Sequence, residues 1–356
     1  MSSSASVGKY FAVTNAIPSA LLVVYVWLLL SVGAWRGPID VGRLAPALHG
    51  FGWQDLAWFI AASLVVALLI HPLQFVFTQV LEGYWGVSRL GRALALAQVK
   101  RHHRNAVSLR KARDCSYQDW VVRGERLANA TDTAPVAPRG EDWARREKRA
   151  RRALARPGGR VMLPAYLAQQ AYERQLRSYP AKLYRVMPTR LGNVLRRSED
   201  EAGTQYGLET VVIAPHLSLI ADPSHYAYVE DRQKAMDLAI TMCLVGALAT
   251  AITAVLFSDD GLWCLFALVP FALAYASYLG VVASAASYNV AIETVTDLSR
   301  FALYDALHVT PPTTGGEEFD TARELMALLK GERSPGITFA QREVEPDNDG
   351  EVTAID

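Results

Sequence analysis

Four runs of about 20 or more largely uncharged residues constrain this chain more than any other feature. They cover residues 17–35, 55–81 and 236–257, with a fourth opening near Gly261 as GLWCLFALVPFALAYASYLGVVASAAS. A helix of that length crosses the ~30 Å hydrocarbon layer of a bilayer. A buried core helix can share this composition, but four such runs do not suit one soluble chain. The chain is 51% hydrophobic and 20% charged, so its apolar residues must be concentrated, and these runs are where they lie. Trp27, Trp35, Trp53, Trp58 and Trp263 fall in or beside them, several near the ends, where aromatic rings anchor at the membrane–water boundary. The first run has a weak positive region, Lys9, and a small-residue stretch, SVGA, as a cleaved leader would. Its length and the second run close behind favour a retained helix.

Charge gives these spans a sidedness. Residues 82–235 carry 28 Lys/Arg against 16 Asp/Glu, whereas the first short loop has only Arg36 and Arg43 as basic residues and the second is essentially SDDG. Arg89, Arg92, Lys100 and Arg101 follow span two, and Arg232 and Lys234 precede span three. The excess of positive charge puts the large segment and both termini in the cytoplasm. The Arg-over-Lys bias and abundant Ala suit a high-G+C bacterial genome, and hence a multi-pass protein of the bacterial plasma membrane. The expected fold is mainly α: four transmembrane helices as two hairpins, a helical cytoplasmic insertion, and helical extensions of spans two and four. Residues 1–82 form the first hairpin and 236–285 the second. Between them come a helical extension (83–128), a flexible linker and basic segment (129–160) and a helical segment (161–235). A second extension (286–308) and a largely disordered acidic tail (309–356) follow. The tail has 11 acidic against 4 basic residues, with one short helix expected in FDTARELMALLKGE.

Both extensions are read as continuing their spans without interruption. Leu90, Leu94, Ala97 and Arg101 repeat at helical spacing behind span two, and Ala291, Val295, Leu298 and Ala302 do so behind span four. Gly83 and Gly86 offer the alternative of a break after span two. Residues 145–160 hold eight basic residues and one acidic one, which suits contact with anionic lipid, at about 1 kcal/mol per charge near the surface. Without aromatic platforms or a recognition motif, nucleic acid is not an expected partner. In YRVMPTRLGNVLRRSEDEAGTQYG, Pro188 favours an extended residue before it, Thr189 caps a helix, and Gly207 is read as its stop. Leu191, Val194, Leu195, Ser198 and Ala202 share one face of that helix.

EGYWG (82–86), MPTRLGNVLRRSEDEAGTQYGLE (187–209) and DLSRFALYDAL (297–307) resemble the recurrent elements of an uncharacterised family of actinobacterial multi-span membrane proteins. The resemblance runs from span two to the end of the second extension. It implies shared architecture and brings no activity. An aromatic-rich stretch follows the Tyr-Gly pair in that pattern, where this chain reads VVIAPHLSLI.

Chemistry is sparse. The sequence lacks a Walker loop, a dinucleotide fingerprint, a Gly-x-Ser-x-Gly elbow and a His-Glu-x-x-His pair, so no catalytic, cofactor or metal residues are assigned and an enzyme is not expected. Cys115, Cys243 and Cys264 match no zinc or redox spacing. His71, within span two and before Pro72, is the candidate intramembrane polar group. Arg190, Asn193 and Glu82 are candidates for structure or recognition, with Arg190 and Asn193 expected to tie their helix to spans two and four. Two functional readings follow. One is a membrane-anchored scaffold or signalling component that presents its cytoplasmic helices to an unknown soluble partner. The other is a channel-like or membrane effector protein, a homo-oligomer packed through small residues such as Gly246, Ala249 and Ala283.

Overall fold

The computed structural model describes residues 12–34, 40–49, 52–131, 143–156, 158–258, 261–333 and 336–340. It is mainly helical, and among the described residues there is no strand beyond an isolated bridge between Val309 and Phe339. In chain order the helices are α1 (Ile17–Ser31), α2 (Leu44–His49), α3 (Trp53–Glu82), α4 (Arg89–Thr131), α5 (Trp143–Leu154) and α6 (Leu163–Leu176). They continue with α7 (Arg190–Glu201), α8 (Thr210–Ile220), α9 (Pro223–Leu256), α10 (Leu268–Ala306) and α11 (Gly315–Leu329). Among the described residues, four stretches are long and apolar enough to cross a membrane: Thr14–Ser31, Trp53–Glu82, Pro223–Leu256 and Gly261–Ala306. Their outward surface is oily, with Leu68, Leu69 and Phe75 on α3 and Leu268, Val269 and Phe271 on α10 all exposed. This surface suits a lipid environment, not water.

The chain divides into two compact units. The first contains residues 1–200 and 230–290. Here α1, α3 and α9 share a core of Leu22, Ile70, Leu244, Val245 and Ala249. Helices α9 and α10 approach closely at Gly246, where an added Cβ would come within 2.9 Å of Ala274 backbone atoms. In the same unit α5 lies on α4 through small residues. A Cβ on Gly124 would come within 2.5 Å of that of Ala150, and Ala150 and Ala153 join Trp120, Val121 and Met162 in a buried cluster. Trp120 donates its ring N–H to the buried Gln169 amide oxygen. The basic helix α5 is thus packed on one face, held further by the Arg146–Glu125 pair at 2.6 Å, while Arg145, Lys148 and Arg152 stay exposed.

Span two and the next helix are not continuous. α3 ends at Gly83, whose φ of +107° closes the helix, and α4 begins at Arg89 after a turn containing Gly86 at φ +74°. Positive φ costs an L-residue with a Cβ but not glycine, so this pair sets the break. The expected apolar stripe at the start of α4 is not a packing face, since Leu90 and Leu94 are 71% and 52% exposed. α10, in contrast, is a continuous α-helix over Leu268–Ala306, about 58 Å at 1.5 Å per residue.

The second unit contains residues 201–229 and 291–356. Its core joins Leu208, Ile213 and Leu217 to Leu303, Tyr304, Ala322, Leu325 and Met326. The acidic stretch from residue 309 is not uniform. α11 starts on a capping box in which Thr314 accepts from the Glu317 amide and Glu317 reaches back to the Thr314 amide, and it buries Ala322 and Leu325. Residues 341–356, together with linker residues 132–142 and Asp259–Asp260 of the last loop, lie outside the described residues.

Candidate functional site

Two of the quoted motifs meet in the first unit. An added Cβ on Gly83 would come within 2.5 Å of the Pro188 ring, and one on Gly192 within 2.0 Å of the Glu82 carbonyl oxygen. EGYWG and MPTRLGN therefore form one joint, in which the first turn of α7 rests directly on the last turn of α3. Pro188 and Thr189 lead into that turn, and the Thr189 hydroxyl accepts from the Gly192 amide at 3.0 Å, as an N-cap does. Asn193 is fully buried. Its Oδ1 accepts from the Met187 amide at 2.8 Å, and its Nδ2 donates to the carbonyls of Met187 and Thr189 at 2.9 and 2.6 Å. Asn193 thus fastens the Pro-Thr loop to its own helix. The tie to α10 comes from a residue that the sequence reading did not single out, Asn289, whose Nδ2 donates to the Val194 carbonyl at 2.8 Å.

The apolar face of α7, Leu191 and Val194, packs with Ile240 of α9, Val281 and Ala285 of α10, and Phe77 and Leu81 of α3. Its polar face carries a charge network. Arg196 donates to Glu199 at 2.6 Å and to the Tyr84 hydroxyl at 2.9 Å. Arg185 pairs with Glu199 at 2.7 Å and also with Asp200. The helix ends at Glu201, earlier than Gly207, because Gly203 already takes φ +75°.

A polar cavity of about 520 Å³ opens beside this joint. α4 contributes His102, Asn105, Ser108 and Leu109, and Gln175 of α6 joins Ser178 and Tyr179 from the turn after it. Arg190 and Asn193 of α7 and Val282 of α10 complete the wall. The Tyr179 hydroxyl lies 3.2 Å from His102 Nδ1 and is also bonded by the Asn105 side chain. Burial, followed by the charges of Arg101 and Arg190, pushes the His102 imidazole below its ordinary value of 6.5. Burial pushes the Tyr179 phenol up, against the pull of the same two guanidinium groups. Among the described residues, no Asp or Glu lines the cavity. Among the described residues, neither Arg190 nor Arg101 forms an ion pair or a hydrogen bond through its side chain.

Of the residues singled out from sequence, the structure brings Glu82, Arg190 and Asn193 to this one joint and leaves His71 elsewhere, exposed on α3. His102, Asn105 and Tyr179 were not singled out for this role. His102 and Asn105 come from α4, far from Arg190 in the chain, and only tertiary packing brings them to Tyr179 and Arg190.

In the second unit, YGLE and DLSRFALYDAL also meet. Arg300 donates to Glu318 at 2.7 Å, and its guanidinium lies 4.3 Å from the centroid of the Tyr206 ring. Lys330 pairs with Glu209 at 2.5 Å. These contacts close the small core. Among the described residues, no three His, Cys, Asp or Glu side chains gather as a metal set. No protein-family profile, no curated protein and no solved structure matches this chain.

Proposed function

We propose that the chain is a multi-pass protein of the bacterial plasma membrane that works as a membrane-anchored scaffold or signalling component. Its two hairpins hold it in the bilayer. Both termini and the insertion between spans two and three face the cytoplasm, where the insertion is presented to a soluble partner. The observation that carries this reading is the division of surface chemistry. The two grooves beside α1 and α3, about 610 and 420 Å³, are apolar apart from Ser63, while the polar cavity and the charge network belong to the helical insertion. A conduction path needs polar groups along the spans. The insertion also exposes large apolar side chains available to a partner, including Tyr184 at 81% and Leu167 at 53%. The exposed Arg145, Lys148 and Arg152 of α5 would lie against anionic lipid headgroups.

The channel reading draws on small residues in spans three and four, but Gly246 is already used against Ala274 within one chain. The test combines two measurements on the full-length protein. Liposomes containing purified protein are expected to show no ion flux above empty liposomes. A photo-crosslinking residue at Tyr184 or Leu167 is expected to capture a soluble protein in cells. Robust flux altered by His71→Ala, without any crosslinked partner, would replace this reading with the channel.

A further inference from the structure

We propose that the cavity between α4, α6, α7 and α10 is a binding site for an organic phosphate, a phosphate ester with an attached carbon skeleton. The argument starts with charge. Arg190 lines the cavity and Arg101 acts on the same His102 and Tyr179, yet neither guanidinium is paired among the described residues, and no carboxylate lines the wall. Arg185, Arg196 and Arg146 pair with carboxylates, whereas Arg190 stands unmatched on the cavity wall, with the charge of Arg101 acting on two residues of the same wall. Guanidinium groups match phosphate oxygens with several donors in one plane.

Hydrogen-bond capacity points the same way. Among the described residues, the side chains of Ser108, Gln175 and Ser178 make no hydrogen bond within the chain, and all three line the cavity. His102, Asn105 and Tyr179 already bond to one another, so they form a fixed wall behind the free donors. Arg190 is also the first residue of α7, the helix end where the backbone dipole favours an anion.

Size and lining decide the class. At about 520 Å³ the cavity is in the range of small-molecule sites and far exceeds what inorganic phosphate needs. Leu109 and Val282 give it an apolar side for a carbon skeleton. Two sources offer this chemistry, a soluble phosphate ester and the headgroup of an anionic phospholipid.

The experiment uses the full-length protein in a phosphate-free maltoside detergent at constant ionic strength. One arm titrates glycerol 3-phosphate. The other adds phosphatidylglycerol, with diacylglycerol as its phosphate-free control. Thermal melting reads binding. The expected result is a saturable rise in Tm in at least one arm, with the responding arm naming the source. Arg190→Gln should weaken apparent affinity about ten-fold or more, as loss of a charge-assisted contact does, and Arg190→Lys should recover part of it. Arg101→Gln and Ser108→Ala, both at exposed positions, test the same site should Arg190→Gln not fold. Absence of a saturable shift in both arms overturns the proposal. So does a shift that Arg190→Gln, Arg101→Gln and Ser108→Ala all leave unchanged.

Discussion

Gly192→Ala probes the joint between α3 and α7 with a single methyl group. The added Cβ would fall 2.0 Å from the Glu82 carbonyl oxygen, 3.1 Å from its carbon and 3.0 Å from the Met187 Cβ. A carbon and a carbonyl oxygen settle near 3.3 Å, so the helices must separate by roughly 1.3 Å. The atom in the way is backbone and cannot swing aside as a flexible side chain could. Over-packing of this kind costs about 3 kcal/mol at the upper end of its usual range. Alanine returns up to about 1 kcal/mol through its better helix propensity, leaving a net loss of about 2 kcal/mol. In a folded unit of this size that lowers Tm by about 4–8 °C. The control is Gly280→Ala on α10, where the nearest atom to an added Cβ is 4.0 Å away and the same propensity gain is unopposed. Thermal melting of both variants in one detergent is the assay. A Tm for Gly192→Ala equal to or above wild type would refute the close approach of α7 to α3.

Asn193→Ala removes three hydrogen bonds from a fully buried position and strands the Met187 amide, so a loss of about 2–3 kcal/mol and a matching drop in Tm are expected. An unchanged Tm would show that the Pro-Thr loop is held by something else. The docking of α5 should depend on pH. Hydrogen bonding from Arg146 holds the Glu125 carboxyl below its ordinary value of 4.5. A depressed carboxylate contributes stability above its unfolded value and loses it as pH falls through the folded one, so α5 should loosen below about pH 4.5. Tryptophan fluorescence at Trp120 and Trp143 reads this, and Glu125→Gln should show the loosened state already at pH 7, about 1–3 kcal/mol less stable.

The spans were legible because membrane-length apolar composition is a local property, and the four candidate helices overlap the four apolar runs. Thr189 also marked the start of α7 correctly. Other features needed three dimensions. A helix stop depends on which glycine takes positive φ. Gly203 does so before Gly207, which shortens α7, and Gly83 does so after α3, which breaks the expected extension. Gln169 is a polar side chain yet is buried, because the Trp120 ring N–H needs an acceptor inside the α4–α6 core. LETVVIAPHLSLI contains Pro215, a residue that normally breaks a helix, yet it folds as α8, held by Ile213 and Leu217 in the second core. The cavity was invisible because its wall draws on four helices spread between His102 and Val282.

The claim of a bilayer anchor with its insertion on the cytoplasmic side meets its most direct test at two native thiols. Cys115 lies exposed on α4, and Cys264 lies exposed in the turn before α10. Each is kept alone, with the other two cysteines replaced by serine, and spheroplasts are treated with a membrane-impermeant thiol reagent. The account predicts that Cys264 is labelled in intact spheroplasts, while Cys115 is labelled only after permeabilisation. Labelling of Cys115 from outside, with Cys264 protected until lysis, would contradict it.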